Sequence, residues 1–418
     1  MPATIRRLLF MTVLVCALPA FAADFTIAPG PDAQEKAQEA LILAKPGQTV
    51  EFTEGTFELT MSLSLDVDNV VVQGAGIDKT VLSFKGQDAG AEGLIVTSDG
   101  VTLRDFAVED SKGDAIKAKG CDGIYFINVR AEWTGGPKST NGAYGFYPVE
   151  STNVLIDGCA AIGASDAGIY VGQSKNIIVR NSRAEYNVAG IEIENSYYAD
   201  VYDNVATHNT GGILVFDLPG LPQQGGHDVR VFRNQIVDND TANFAPEGNI
   251  VGAVARGTGL MIMANRNVEA FENIIDKNET YNVLIISYKT TERPIKDENY
   301  DPFPLGIHVH NNKIGDGGRE PDNRRGELVA SLTGTPVPDI VWDGFVDESR
   351  MENGKLPQEM GIYIHSNGDA DFANLGMPES LKGGKANTAL VKRDLSAHAG
   401  SLPPLKPVVI DGIEGAGD

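Results

Sequence analysis

Two glutamates, Glu192 and Glu194, stand two residues apart in a short alternating segment, and this spacing could support acid–base chemistry. Side chains two apart on a β-strand point to the same side, about 6.5 to 7 Å apart along it. Carboxyl groups presented together in this way can act as general acid and base. We therefore take Glu192, Glu194 and the hydroxyl of Tyr147 as the candidate catalytic groups.

Further cations and aromatic rings recur at equivalent positions and form a candidate binding surface. Lysines could neutralise a carboxylate of a ligand, and flat rings could stack on its apolar faces. The candidate binding residues are Lys117, Lys119, Trp133, Tyr144, Tyr170 and Asp217. Two other readings remain open: the charged row forms a solvated sheet face with cross-strand pairs, and the tyrosines form a structural stacking ladder.

These residues lie on a repeat of about 22 residues. Ile169, Ile191 and Ile213 each follow a glycine, open a short alternating strand and are 22 residues apart. A second apolar column closes the next strand of each repeat. Its members are Leu103, Phe126, Ile156, Val179, Val201, Val231, Ala270 and Val309. Even spacing of this kind indicates a solenoid in which each strand buries one side of every coil.

Asparagines accompany the apolar columns at two turn positions. One row is Asn187, Asn209, Asn239 and Asn278, and the other is Asn204, Asn234, Asn273 and Asn312. Asparagine tolerates the left-handed backbone of turns and can bond to its own copy one coil away. The leucines of a leucine-rich repeat are lacking. The pattern therefore predicts an all-β chain folded as a right-handed parallel β-helix.

The two ends of the chain have their own signals. Arg6 and Arg7, an apolar run and Ala20-Phe21-Ala22 are typical of a signal peptide that is cleaved near Ala22. The residues flanking Cys16 are too large for a usual lipidation box, so ordinary secretion to the periplasm or beyond is favoured over a lipid anchor. We expect a signal peptide over residues 1–22, a capping helix over 23–47, the β-helix over 48–318 and an irregular C-terminal cap over 319–418.

The N-terminal cap has a specific pattern. Asp32-Ala33-Gln34-Glu35 reads as a capping box, alanines and Leu41 share one helical face, and Gly47 would end the helix.

Composition excludes several partners and cofactors. The net charge of −23 becomes −25 when Arg6 and Arg7 are removed, which disfavours nucleic acid and anionic membranes. No later segment approaches the roughly 20 apolar residues of a membrane span. Cys121 and Cys159 fall at different places on the coil and should stay unlinked. We expect no cofactor. His308 and His310 could ligate a metal ion, but an exposed solvated pair is favoured. Ca²⁺ on the acidic surface stays open as an alternative, although no spaced acidic motif marks a site.

Insertions between the strands predict a groove along the outer face. Asp217–His227 and Tyr288–Leu305 leave one edge of the candidate strand series, and Glu132–Gly142 and Asp240–Thr258 rise at the other. The second half of the face is apolar and should be covered by the chain's own loops or by a protein partner. The partner residues would be Leu214, Phe216, Met261 and Met263. A long groove of this kind suits an extended polymer.

The coils resemble the β-helix repeats of secreted carbohydrate-binding and sugar-hydrolase proteins. Residues 144–150, Tyr-Gly-Phe-Tyr-Pro-Val-Glu, are similar to the Tyr-Gly-x-Asp-Pro-His-acid signature of the mannuronan C5-epimerases, in which tyrosine, aspartate and histidine transfer protons. Tyr147 replaces that aspartate, Val149 replaces the histidine and Gly172 stands where a later catalytic aspartate is expected. The resemblance implies the frame of that family without its catalytic set.

Two functions remain open at this level. The first is binding, and enzymatic processing by a lyase, epimerase or hydrolase reaction, of an extracellular or periplasmic polysaccharide. The second is a non-catalytic binding or assembly module that uses the apolar half of the face.

Overall fold

The chain folds as a right-handed parallel β-helix, as its repeat predicts. A computed structural model describes residues 23–380, residue 382 and residues 387–415. In this part of the chain three long parallel sheets run along the solenoid, which we call sheets A, B and C. The segment read as a signal peptide, with Cys16, lies outside the described residues.

A complete coil contributes one short strand to each sheet. Sheet A contains Phe25–Ile27, Thr49–Phe52, Val71–Gln73, Val101–Arg104, Asp122–Ile127, Thr152–Asp157, Lys175–Arg180, Tyr197–Tyr202, His227–Phe232, Arg266–Phe271, Leu305–His310 and Ile362–His365. Sheet B contains Gly55–Glu58, Thr80–Ser83, Ala107–Glu109, Arg130–Glu132, Ala160–Ile162, Arg183–Glu185, Val205–Thr207, Gln235–Val237, Ile274–Asp276 and Lys313–Ile314. Sheet C contains Met61–Leu65, Ala89–Val96, Ile116–Lys119, Tyr144–Val149, Ala167–Gly172, Ala189–Glu194, Gly211–Phe216, Thr258–Met263, Tyr281–Ile286, Ile340–Trp342 and Phe372–Asn374.

Helices are short and lie outside the coils. The α-helices are α1 (Ala33–Leu43), α2 (Asn323–Thr333) and α3 (Met377–Ser380). Single 3₁₀ turns occupy Val251–Ala253, Tyr288–Thr291, Glu348–Arg350, Gln358–Met360, Thr388–Leu390 and Ser396–His398. No helix among the described residues has the length and apolarity that crossing a membrane requires.

The core is made of columns of apolar side chains, one per strand per coil. Ile169 pairs with Ile191 and Ile191 with Ile213, and all three are fully buried in the main core. The column from Leu103 to Val309 in sheet A is likewise buried throughout. Both predicted columns are confirmed, because strand alternation sends every second side chain inward.

The two asparagine rows form hydrogen-bonded ladders. Asn204 donates to Asn234, Asn234 to Asn273 and Asn273 to Asn312, at 2.9–3.0 Å between Nδ2 and Oδ1. Asn312 extends this row to Asn367. The second row, from Asn187 to Asn278, repeats the pattern. Each ladder satisfies buried backbone groups at a corner of the coil.

Glycine is required beside these ladders. A Cβ atom at Gly190 would stand 2.6 Å from the Gly212 carbonyl and 2.8 Å from Asn209 Nδ2. The glycine before each inward isoleucine therefore makes room for the asparagine of the next coil.

Helix α1 differs in detail from the predicted cap. Its apolar side, which includes Ala37 and Leu41, packs on the main core as expected. The side chain of Asp32 makes no capping hydrogen bond and instead lies 3.7 Å from Lys36 Nζ. The helix ends at Leu43, ahead of Gly47, because the residue before Pro46 is disfavoured in helical conformation.

The coils continue beyond the boundary that we expected at residue 318. Ile340–Trp342 and Phe372–Asn374 extend sheet C, and Ile362–His365 extends sheet A. The regular spacing of the repeat is not visible in this part of the sequence because long connections separate these strands.

The cysteine prediction is confirmed. Cys121 and Cys159 are buried and not linked to one another in the structure.

Candidate functional site

The outer face of sheet C carries the predicted row of polar side chains. Lys117 pairs in register with Tyr147, and Tyr170 pairs with Glu192. The row continues through Leu214, Met261 and Leu284 on the following coils. The sequence therefore identified which side chains share this face.

The apolar half of the face is closed by the chain itself. Residues 240–257, residues 288–304 and α2 lie over it, and we call these the covering segments. Their apolar residues, among them Val254, Tyr300 and Leu332, form one buried cluster with the face. The four predicted partner residues, Leu214, Phe216, Met261 and Met263, are all buried there. The expectation of a protein partner on these residues is thus corrected, because no open surface remains at them.

The covering segments are held to one another and to the coils. The Arg293 guanidinium lies within 3.5 Å of the Gly248 and Asn249 carbonyls, which joins the two insertions. Arg325 of α2 donates to the Thr291 carbonyl at 3.0 Å. The insertions that we expected to wall a groove therefore meet across its second half.

A cavity of about 340 Å³ remains beneath this cover. Met261, Leu284 and Arg325 line it, and the buried Asp343 carboxyl lies at its edge. Burial raises the pKa of Asp343 to about 7, against hydrogen bonds from the Thr290 hydroxyl and two backbone N–H groups. The cavity is mainly apolar and lies on later coils than the predicted catalytic glutamates.

Carboxyl groups and tyrosines cluster where the cover begins. The Tyr170 hydroxyl donates to Glu194 Oε1 at 2.7 Å, and the Glu192 and Glu194 carboxyl groups bond to one another. On the preceding coil Asp166 accepts from Tyr144 and, at 2.9 Å, from Asn249 of the covering segments. We call the carboxyl groups of Asp166, Glu192 and Glu194 the acidic cluster.

Burial dominates the electrostatics of the acidic cluster. Glu192 is only 1% exposed, and burial together with the Glu194 and Asp166 charges raises its pKa well above the usual range. The pKa of Asp166 rises to about 7 and that of Glu194 to about 6, with burial the largest cause for both. Among the described residues, Glu192 Oε2 has no hydrogen-bond partner. Burial and the two neighbouring charges therefore favour the protonated form of Glu192.

The first half of the face stays open and carries Asp114 and Lys117. The side chains of Asp114 and Lys117 are 14% and 23% exposed, and 4.0 Å separates Oδ2 from Nζ. Lys117 also pairs with Glu92 at 3.3 Å and lies 5.1 Å from the centre of the Tyr147 ring. Burial raises the pKa of Asp114 to about 6, although the Lys117 charge acts in the opposite direction.

Three tyrosines connect the open half to the acidic cluster. The centre of the Tyr144 ring lies 4.4 Å from that of Tyr147 and 4.7 Å from that of Tyr170. Tyr144 and Tyr147 are partly buried, whereas Tyr170 is buried. Burial raises the pKa of Tyr147 to about 12.

Three predicted binding residues lie elsewhere. Trp133 is part of the main core, and its indole N–H donates to the Ser111 carbonyl at 2.8 Å, so it does not lie in a groove wall. Asp217 is buried and accepts the Gly226 backbone N–H. Lys119 is exposed at the end of its strand and pairs with Glu150 at 3.7 Å. Burying the large apolar indole of Trp133 in the core is more favourable than exposing it to water in a groove wall, which explains why that prediction was wrong.

Strand alternation could not identify Asp114 and Asp166. Both stand in the corner just before a strand of sheet C, where the two-residue period does not apply. The sequence signal that could have identified them is their distance from the strands of sheet C. Asp114 lies two residues before the inward Ile116, and Asp166 lies three residues before the inward Ile169.

Side chains that could hold a metal ion occur on a different sheet. Glu269, His308 and His310, on the outer face of sheet A, place their ligand atoms within 4.8 Å of one another. The acidic cluster on sheet C does not share these residues.

Comparison with known proteins places the chain by fold. A comparison with curated sequences finds no match. Among solved structures, the A-module of mannuronan C-5 epimerase AlgE4 from Azotobacter vinelandii is similar at 14% identity and a TM-score of 0.48, over 74% of this chain and 90% of that one. The AlgE6 A-module from the same organism gives 19% and 0.47, over 70% and 87%. An alginate lyase from a Paenibacillus species gives 14% and 0.37, over 71% and 98%.

A family model described as the right-handed β-helix region matches residues 70–221 and 138–314. These matches span more than half of the chain and agree with the parallel sheets of its structure. The chain belongs to the right-handed β-helix family.

Proposed function

We propose that this protein is exported, binds an extended polysaccharide along the open half of sheet C and hydrolyses it by proton transfer at Asp114 and Asp166. The observation that carries the proposal is the position of Asp114 on the open half of the face, where its partly exposed carboxyl group lies 4.0 Å from Lys117, which in turn lies over the Tyr147 ring. Burial raises the pKa of Asp114 to about 6. A pKa close to the working pH is what a general acid or base requires.

The charges around Asp114 favour a hydroxyl-rich, largely neutral polymer. Lys117 is already balanced by Glu92 and Asp114, so little positive charge is left for a polyanion. Carboxyl and tyrosine oxygens can instead accept hydrogen bonds from sugar hydroxyls, and the Tyr147 ring offers a stacking surface. Parallel coils repeat every 4.8 Å or so, which suits a ligand lying along the axis.

The backbone spacing of Asp114 and Asp166 is nearer to the carboxyl separation of inverting glycosidases than to that of retaining ones. Asp114 and Asp166 precede strands two coils apart, so their backbones are about 9.6 Å apart along the axis. Inverting glycosidases separate their two carboxyl groups by about 6.5–9.5 Å, and retaining ones by about 5–5.5 Å. Glu192 and Glu194 are both buried and lie against each other. In this proposal the Glu194 charge raises the pKa of Asp166, and neither glutamate contacts the substrate.

Access to Asp166 requires movement of the cover. Asn249 bonds to Asp166 and belongs to the insertion that also contacts Arg293. A bound sugar that replaces the Asn249 amide would couple substrate binding to displacement of this segment. The module alternative loses its support, because the apolar half of the face is buried beneath the same segments.

The test is a panel of neutral and uronate polysaccharides, with binding and product formation recorded together. We expect new reducing ends from a neutral polymer with wild type and with Asp88→Asn, an exposed control. Asp114→Asn should lose at least about a hundredfold in rate while still binding. Unsaturated ends or altered C5 stereochemistry would contradict the hydrolytic assignment. Binding that is unaffected by Tyr147→Ala and Lys117→Ala would refute the location.

The export part of the proposal has its own measurement. N-terminal sequencing of protein recovered from the periplasm or medium should begin near Ala23. Full-length protein retained in the cytoplasm would contradict export.

A further inference from the structure

A second cluster of chemistry-bearing side chains lies on the outer face of sheet A, away from the acidic cluster. Three of the chain's six histidines, His308, His310 and His365, meet there with Glu269. They come from three neighbouring strands, since Glu269 pairs with His308 and His310 pairs with His365. The sequence suggested an exposed, solvated pair at His308 and His310, but His308 is only 5% exposed.

The contacts inside this cluster bring lone-pair donors together. His310 Nε2 lies 3.0 Å from Glu269 Oε1, and His308 Nε2 lies 2.8 Å from His365 Nε2. The ligand atoms of Glu269, His308 and His310 all lie within 4.8 Å of one another, so imidazole nitrogens and a carboxylate oxygen converge on a small region.

Surrounding groups orient the carboxylate and one of the rings. Glu269 Oε2 accepts the backbone N–H of Leu405 at 2.9 Å, which leaves Oε1 facing His310. His365 Nδ1 lies 3.1 Å from the Ser366 hydroxyl, so its Nε2 is the nitrogen turned to the cluster. Outer contacts of this kind fix the orientation of metal ligands in proteins.

A cavity adjoins the cluster and provides an approach. It has a volume of about 450 Å³ and is lined by Glu269 and His308 from sheet A and by Pro403 and Leu405 from the C-terminal tail. In the described part of the chain, buried His308 Nδ1 has no hydrogen-bond partner. One ring nitrogen of His308 thus remains unsatisfied by protein, next to a space that a small ligand can enter.

We propose that Glu269, His308, His310 and His365 bind a divalent transition-metal ion of the Zn²⁺ type. Imidazole nitrogen with one carboxylate oxygen is a ligand set that Zn²⁺ accepts in tetrahedral geometry. Zn–N and Zn–O bonds of about 2.0–2.1 Å place tetrahedral ligand atoms about 3.3 Å apart. Glu269, His308 and His310 already place ligand atoms within 4.8 Å of one another. His365 reaches them through its 2.8 Å contact with His308, and its ring must turn toward the ion to complete the set.

The bound ion would fasten the last coils of sheet A together and to the tail. Its ligands come from Arg266–Phe271, Leu305–His310 and Ile362–His365, and Glu269 already holds Leu405. Long connections separate these three strands in sequence, so a cross-link between them should raise the unfolding temperature. The inference is independent of the proposed hydrolysis on sheet C.

The experiment titrates Zn²⁺ into chelator-treated full-length protein by calorimetry, with metal analysis for stoichiometry. We expect one ion per chain and a higher unfolding temperature with Zn²⁺. His310→Ala and His365→Ala should each weaken affinity at least about tenfold. His227→Ala, at a partly exposed position at the start of another strand of the same sheet, is the matched control and should leave affinity unchanged. Co²⁺ bound in place of Zn²⁺ should give visible absorption that both ligand variants lose.

Each result decides the proposal. His365 is partly exposed at the last strand of the sheet, so His365→Ala keeps the test valid if His310→Ala fails to fold. Lack of stoichiometric binding at about 100 μM free Zn²⁺, where a site of useful affinity is filled, would overturn it. Equal weakening by His227→Ala would also overturn it, because the binding would then be unspecific. In that case the cluster serves as the end of the aromatic stack of Tyr202, Phe232, Phe271 and His310.

Discussion

Asp166→Asn should change how the stability of this protein depends on pH. Asp166 is 7% exposed, and its pKa is raised from 3.8 to about 7 by burial and by the Glu194 charge. The folded state therefore favours the protonated acid. A carboxyl group with a raised pKa contributes stability that is complete below its unfolded-state pKa and is lost as the pH rises through the folded-state pKa.

The size of the effect follows from that pKa. A rise from 3.8 to about 7 corresponds to up to about 4 kcal/mol of preference for the protonated form. Asparagine resembles the protonated acid in shape and in having both a donor and an acceptor. Asp166→Asn should therefore match wild type near pH 4 and exceed it by up to about 4 kcal/mol near pH 8.

The measurement is the free energy of unfolding in denaturant from about pH 4 to about pH 8. Asp88→Asn, which removes an exposed carboxylate, should follow the wild-type curve. The reasoning is refuted if Asp166→Asn and wild type lose stability in parallel as the pH rises. A variant that is less stable than wild type at every pH would show that Asn249 and Tyr144 require the carboxylate.

Other substitutions test the ladder, the core and the open face. Asn234→Ala removes the partner of Asn204 and should lower the free energy of unfolding by about 3–5 kcal/mol in denaturant melts, against about 0.5 or less for the exposed Asn299→Ala. Trp133→Ala should cost about 3–5 kcal/mol in the same melts and leave polysaccharide affinity unchanged; weakened binding by a stably folded variant would return Trp133 to the binding surface. Lys117→Ala removes the cation that lowers the pKa of Asp114, so the acid–base profile of the proposed hydrolysis should move to higher pH. An unshifted rate profile would exclude Asp114 as the titrating group.

The repeat was accessible from sequence because it is enforced locally. Each strand of the coil sends alternate side chains inward, so Ile169, Ile191 and Ile213 had to share a column once the chain was helical. Asparagine at the corners is equally constrained, since only a few residues combine a turn backbone with a bond to the next coil. The same alternation also predicts which side chains point outward, from Lys117 to Glu192.

The residues of the candidate site were harder to predict from the sequence. Asp114 and Asp166 lie in corners, where the alternation gives no direction. Glu192 and Glu194 were correctly placed on the outer face, yet nothing in their spacing shows whether water reaches them. Trp133 looked available because it follows a strand at the start of an insertion, and the core had room for its ring.

The sequence by itself thus determined the coil, its core columns, its asparagine ladders and the side of sheet C on which polar residues gather. Periodic patterns specify these features because each residue interacts with its copy one coil away. Only the tertiary structure decided that the insertions meet over the apolar half, that the acidic cluster is buried beneath them, and that Glu269 reaches the histidines of sheet A. These contacts join residues that are far apart in the chain and obey no period, and burial, which sets the pKa values of Asp166 and Glu192, arises from such contacts.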